Sequence, residues 1–209
     1  MKKLGFGGMR LPLTENDNPK SIDQKQVERM TDYFIEKGFT YFDTAYPYHM
    51  GLSEESFKNA VVKRHTRDQF LLADKMPTFL IKKTEEYETT FQTQLERCGV
   101  EYFDYYLLHN LGKRTYADSE SLGGFEYIAK LKQEGRAKQV GFSFHDDALL
   151  LDEILTKHPE VDFVQIQINY LDWNSNSIQS RKCYETLRKH EKPIIVMEPI
   201  KGGMLANLP

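Results

Sequence analysis

Short apolar runs rich in β-formers recur along the chain at residues 40–45, 70–76, 104–110, 138–144, 163–169 and 193–200. Several are nearly unbroken, as in Tyr105-Tyr106-Leu107-Leu108, which predicts strands buried on both faces of a parallel sheet. Between them the apolar positions change to helical spacing. Val27, Met30, Phe34 and Ile35 share one stripe, with Gly38 to stop it. Phe57, Ala60 and Val61 form a second stripe behind Ser53 as N-cap, and Tyr87, Phe91, Leu95 and Cys98 a third after Thr84, closed by Gly99. Further helices are expected over 120–134, 147–157 and 176–190.

Strand and helix therefore alternate, which implies parallel strands joined by right-handed crossovers. A doubly wound dinucleotide fold carries GxGxxG after its first strand; here Gly5, Gly7 and Gly8 are followed by Arg10 and Pro12, so that fingerprint is rejected. The expected fold is α/β, a parallel (β/α) TIM-type barrel built as one domain over residues 1–209. With residues 4–9 counted as a strand the chain offers about seven strands, one short of closure. The run from Met204 to Pro209 supplies no eighth. The barrel is thus expected to be incomplete at its C-terminus, with two open edges through which the chain self-associates.

Composition removes several function classes. A net charge of −3 leaves no basic footprint for nucleic acid. No apolar stretch approaches the roughly 18 residues of a membrane span, and Arg10 interrupts the start before a signal peptide could form. The two cysteines, Cys98 and Cys183, form no CxxC pair, so neither a disulfide framework nor a metal site is expected. The cytoplasm is the expected compartment.

Active sites of such barrels lie at the C-terminal ends of the strands. Those ends carry Asp43 to Tyr48, Asp74-Lys75, His109-Asn110, Ser143-Phe144-His145, then Gln165, Gln167 and Asn169, and finally Glu198 and Lys201. Four of these residues make one chemistry. A free tyrosine, with a pKa near 10, is a poor acid at neutral pH. An ammonium beside Tyr48, from Lys75, favours the phenolate and lowers that pKa. Asp43 keeps the lysine charged and in place, and His109 orients a carbonyl oxygen from across the pocket. Together they would protonate the alkoxide formed when hydride reaches a carbonyl carbon. Two other classes stand beside this one: a metal-dependent hydrolase built from His109, His145, His49 and Asp43, which lacks a His-x-His strand pair, and a non-catalytic nucleotide-binding barrel. His145, followed by Asp146 and Asp147, reads first as a helix cap, and Glu198 as a partner for Lys201.

The run Phe42-Asp43-Thr44-Ala45-Tyr46-Pro47-Tyr48-His49-Met50-Gly51-Leu52-Ser53-Glu54 resembles the D-T-A-x-x-Y-G-x-S-E signature of the aldo/keto reductase family, with two extra residues before the glycine. Lys75 in Leu71-Leu72-Ala73-Asp74-Lys75, His109 in Tyr105-Tyr106-Leu107-Leu108-His109, the opening Leu4 to Pro12 and Gly141-Phe142-Ser143 are similar to the family's as well. The resemblance implies an oxidoreductase using NADP(H), less often NAD(H), on a small carbonyl or alcohol substrate, with catalytic residues Asp43, Tyr48, Lys75 and His109. It implies cofactor contacts from Gly7, Gly8, Met9 and Asp43 along the nicotinamide, and from Ser143 and Gln165 at its carboxamide. Met197 and Pro199 would lie by the ring, and Lys201, Gly202 and Gly203 by the pyrophosphate. Phe144 stands where the family usually has asparagine, and Met197 where it usually has an aromatic residue. The Met-Glu-Pro-Ile-Lys-Gly-Gly run is similar to members carrying a ferredoxin-like C-terminal extension, which is absent from this chain.

Overall fold

A computed structural model of the chain describes residues 2–207; Met1, Leu208 and Pro209, the extremes of the signal-peptide and tail readings, lie outside the described residues. Seven strands follow one another in both sequence and space: β1 (Gly5–Gly7), β2 (Tyr41–Asp43), β3 (Leu71–Met76), β4 (Phe103–Leu111), β5 (Ala137–Phe144), β6 (Phe163–Gln167) and β7 (Ile194–Met197). All neighbours are parallel. Sequential parallel order with helices between the strands curls the sheet into a half-barrel. Among the described residues β1 pairs only with β2 and β7 only with β6, so both edges are open.

Side chains alternate across each strand, and this period of two separates two cores. Ala73, Leu107 and Phe163, with Tyr41, Tyr105 and Ile195 beside them, fill the barrel interior. Phe42, Leu72, Tyr106, Leu108, Phe142, Val164 and Ile166 point the other way, into the layer between sheet and helices. The unbroken run Tyr105 to Leu108 thus feeds both cores in turn. Gly141 is required by close pairing, because a Cβ there would meet the Phe163 carbonyl oxygen at 2.1 Å.

The helices are α1 (Gln24–Glu36), α2 (Ser53–Phe57), α3 (Glu85–Cys98), α4 (Lys113–Ser121), α5 (Gly124–Gln133), α6 (Ala148–Lys157) and α7 (Ser180–Lys189). The structure corrects several sequence expectations. Met30 leaves the α1 stripe and is 40% exposed, its place on the buried face taken by Thr31. Ser53 does not cap α2; its hydroxyl donates to the Gly8 carbonyl at 3.0 Å and shares a 2.8 Å bond with Thr44. The helix expected over 120–134 is two helices broken at Gly123, whose φ of 76° is left-handed. The cap of α6 is Asp147, accepting from the Leu150 N–H, rather than His145. No helix among the described residues is long and apolar enough to cross a membrane.

Candidate active site

The inward phase of the strands brings the predicted groups to one rim. Asp43 ends β2, Lys75 lies near the end of β3 and His109 near the end of β4. Tyr48 follows β2 in a tight turn closed by its own N–H donating to the Ala45 carbonyl at 3.0 Å. The next two residues, His49 and Met50, are left-handed, with φ of 52° and 57°. Such backbone is uncommon for non-glycine residues and persists where surrounding contacts hold it. His49 is one such contact. Its Nε2 accepts the Leu11 N–H at 3.0 Å and its Nδ1 lies 2.8 Å from the Pro19 carbonyl, which makes it a neutral tautomer protonated on Nδ1.

Lys75 is buried, and its ammonium uses all three protons: on Asp43 Oδ1 at 2.5 Å, on the Thr44 carbonyl at 2.7 Å and on the Tyr48 oxygen at 3.3 Å. Because the tyrosine oxygen accepts from Lys75, the phenol's own proton remains available to another acceptor. Asp43 is anchored on its other side by Gln165, whose amide donates to Oδ2 at 2.9 Å. Burial opposes the charge on Lys75, but Asp43 and Tyr48 more than compensate and hold its pKa above the usual lysine value. Burial pushes the Tyr48 phenol upward. Lys75 pulls it down, and Asp43 adds to the rise, so the net shift is upward. Proximity to lysine was expected to lower it; the desolvation of a phenolate outweighs the lysine here. His109 lies edge-on to Tyr48 with ring centroids 5.7 Å apart. Burial, then the nearby charges of Lys75 and His145, press its pKa well below the ordinary histidine value, so the imidazole is neutral.

The remaining predicted positions fall around this centre. Ser143 and Gln165 are register partners on β5 and β6. The Ser143 hydroxyl oxygen accepts the Asn110 N–H at 2.7 Å, leaving its proton to give. Gln165 donates to Asp43, leaving its carbonyl to accept. Phe144 points outward into the helix-facing core, while Met197 shares the interior phase of Ile195. Gly8 meets Ser53, where a Cβ would lie 2.6 Å from the hydroxyl; Gly7 faces open space, and Met9 is half exposed. Beyond β7, Pro199 leads into a turn in which Lys201, Gly202 and Gly203 all have positive φ. Lys201 is bound to Asp172 Oδ1 at 2.5 Å and is not free in this structure, and Glu198 pairs with Arg10 at 2.7 Å rather than with Lys201. Gly202 lies against that same Arg10 guanidinium.

The pattern of the Aldo/keto reductase family matches residues 3–208, nearly the whole chain. The chain belongs to this family. A probable aldo-keto reductase 1 of Glycine max is 30% identical over 181 residues, covering 83% of this chain and 49% of that protein. The 9,11-endoperoxide prostaglandin H2 reductase of Trypanosoma cruzi is 23% identical over 213 residues, covering 100% of this chain and 65% of that one. The chain thus spans from about half to just under two thirds of the length of these relatives. Among solved structures, the holo form of an aldo-keto reductase from Bacillus halodurans superposes with a TM-score of 0.72 at 24% identity, covering 99% of this chain and 65% of that one. An aldo-keto reductase from Klebsiella pneumoniae in complex with NADPH gives 0.71 at 22%, covering 98% and 66%. These likenesses carry the fold: the strands that curl into a half-barrel here are those of an aldo/keto reductase (β/α)8 barrel.

Within this aldo/keto reductase frame, two residues took positions that the sequence reading did not assign. His49, a candidate ligand in the hydrolase alternative, is a tie between the loop after β1 and the Tyr48 turn. Asp74 was grouped with Lys75 as a rim residue; it lies on the opposite face of β3, fully buried. The period-two alternation of a strand would have separated them, since neighbours cannot share a face. Trp173 packs against Tyr184 of α7, with ring centroids 5.6 Å apart.

Proposed function

We propose that this chain carries the catalytic centre of an oxidoreductase that reduces an aldehyde or ketone to an alcohol, with Tyr48 as the proton donor. One observation supports this above the others: a buried, charged lysine donates to a tyrosine oxygen and so leaves the phenolic proton free. Reduction of a carbonyl develops negative charge on oxygen. Tyr48 delivers the proton to that oxygen, Lys75 stabilises the phenolate that remains, and neutral His109 can donate to the same oxygen and fix its direction. Asp43 keeps Lys75 charged and in position.

The donor set suits a nicotinamide carboxamide, which needs one hydrogen-bond donor and one acceptor. Ser143 has a hydroxyl proton to give and Gln165 a carbonyl to accept with, side by side on neighbouring strands. Ser143, Gln165 and Asp43 would hold the nicotinamide end, with Gly7, Gly8, Met9 and Met197 around it. The turn at Pro199, Lys201, Gly202 and Gly203 would approach the phosphates, with Lys201 first leaving Asp172. When bound, NADP(H), or less often NAD(H), supplies the hydride. The test is aldehyde-dependent NADPH oxidation by the wild-type protein and by Tyr48→Phe. Turnover in the first and its loss in the second is the expected result; equal rates in both would overturn the reading.

A further inference from the structure

Behind β3, on the face away from the tetrad of Asp43, Tyr48, Lys75 and His109, Glu54 of α2, Asp74 of β3 and Cys98 of α3 meet. All three are fully buried, and their carboxylate oxygens and sulfur lie within 4.8 Å of one another. Most of the bonds around them are accounted for. The Lys75 N–H donates to Asp74 Oδ1 at 2.8 Å, and the Cys98 thiol lies 3.7 Å from Oδ2. Arg97 donates to Glu54 Oε2 at 3.1 Å. Gln94, packed beside the pair, donates one amide proton to the Lys75 carbonyl and accepts from the Tyr106 hydroxyl; its amide also favours an ionised Glu54, without a hydrogen bond to Oε1. Glu54 Oε1 is left: a buried carboxylate oxygen with no donor.

Counting charge sharpens the problem. Arg97 is the cation bonded to the pair. Lys75 turns its ammonium to the other face, onto Asp43, Thr44 and Tyr48, and the Lys58 ammonium donates to the Glu96 carbonyl. Two ionised carboxylates and one guanidinium would leave a negative charge uncompensated where no water reaches. Like charges at this separation in a dry site do not both ionise. Burial raises Asp74 well above the carboxylate range, and the neighbouring Glu54 adds to the rise. Glu54 is raised less, because Arg97 works against its burial.

We propose that Asp74 and Glu54 share one proton, carried by Asp74 and donated to Glu54 Oε1, and that this pair is a positioning device for both halves of the tetrad. An acid proton on Asp74 is the missing donor. The other Asp74 oxygen fixes the backbone of Lys75. Glu54, kept ionised, holds Arg97, and the Arg97 guanidinium lies 4.5 Å from the centre of the Tyr46 ring, two residues before Tyr48. A neutral Asp74 also leaves Asp43 as the carboxylate that balances Lys75; an ionised Asp74 would add negative charge behind the lysine and raise the Tyr48 phenol further. The positioning role rests on the reductase reading above. The shared proton does not.

The proton is read directly by infrared spectroscopy of the wild-type protein at neutral pH. A carboxylic-acid C=O band is expected, absent in Asp74→Asn and retained in Tyr48→Phe. A wild-type spectrum with no acid band, or a band that survives Asp74→Asn, overturns the proposal, as does an equivalent of tightly bound metal in the purified protein. Turnover tests the positioning role. Asp74→Ala should lower kcat about tenfold and Asp74→Asn, the neutral isostere, should recover most of the loss. Glu54→Gln removes the acceptor and offers Asp74 an amide donor, so Asp74 ionises: the acid band disappears and the limb of the pH profile set by Tyr48 moves alkaline. An unchanged limb in Glu54→Gln, or no recovery in Asp74→Asn, overturns the positioning role. A wild-type protein that shows the acid band but no carbonyl reduction would instead refute the reductase reading.

Discussion

The Lys75 ammonium donates to the Tyr48 oxygen at 3.3 Å and lies 4.9 Å from the centre of the tyrosine ring. A cation in this place stabilises phenolate and, by occupying a lone pair, leaves the phenolic proton for another acceptor. The acid strength of Tyr48 is therefore set by a contest between Lys75 and burial, and burial is ahead.

Tyr48→Phe removes the proposed proton donor while leaving the ring and its contacts. Carbonyl reduction should fall by roughly 10²–10⁴-fold in kcat, the usual worth of a positioned acid. NADPH affinity should change little, because the phenol acts in the transition state. Steady-state kinetics and a fluorescence titration of NADPH check both halves.

Substitutions at Lys75 and Asp43 should shift the pH profile in opposite directions. Lys75→Met removes the group that lowers the Tyr48 pKa, so that pKa rises, and alcohol oxidation, which needs phenolate, requires a higher pH. Asp43→Asn removes a carboxylate that raises the same pKa, so its direct effect is downward. Rate profiles of oxidation against pH for the three proteins check the signs.

Gly141→Ala should be poorly tolerated. Its Cβ would meet the Phe163 carbonyl at 2.1 Å, and backbone, unlike a side-chain tip, cannot swing aside. Forcing β5 from β6 should cost about 1–3 kcal/mol or more, and also separate Ser143 from Gln165. Thermal melting of the variant measures the cost.

Glu88, on the outer face of α3, is held down to about 2 chiefly by its bonds with Arg136. A depressed carboxylate stabilises the fold above its unfolded pKa and loses that contribution as pH falls from about 4.5 toward 2. The pair is largely solvated, so its worth is at most about 1 kcal/mol. Glu88→Gln should lower the melting temperature slightly at pH 7, and the difference from wild type should shrink as the pH falls through that window.

The open edges make a prediction about association. β1 and β7 each lack a second partner among the described residues, and Val196 on β7 is 46% exposed. Unpaired strand edges template further pairing. The 209-residue polypeptide should self-associate in proportion to concentration, and Val196→Lys should reduce the association. Analytical ultracentrifugation over a dilution series reads the result.

The strands, their order and the gathering of four polar residues at one rim could be read from the chain alone. Hydrophobic periodicity is a local property, and the end of a parallel strand is a predictable address for chemistry. Asp43, Tyr48, Lys75 and His109 all lie at such addresses. What needed the tertiary structure were quantities that depend on distant neighbours. Arg10 finds Glu198 across 188 residues, and the two nitrogens of His49 reach Leu11 and Pro19. Asp74 sits beside Lys75 in the chain yet on the opposite face, where it meets residues from two helices. The direction of the Tyr48 shift belongs to the same class. Sequence names the lysine beside the tyrosine, but the free energy of burying a phenolate is summed over everything that excludes water from it, and only the folded chain assembles that sum.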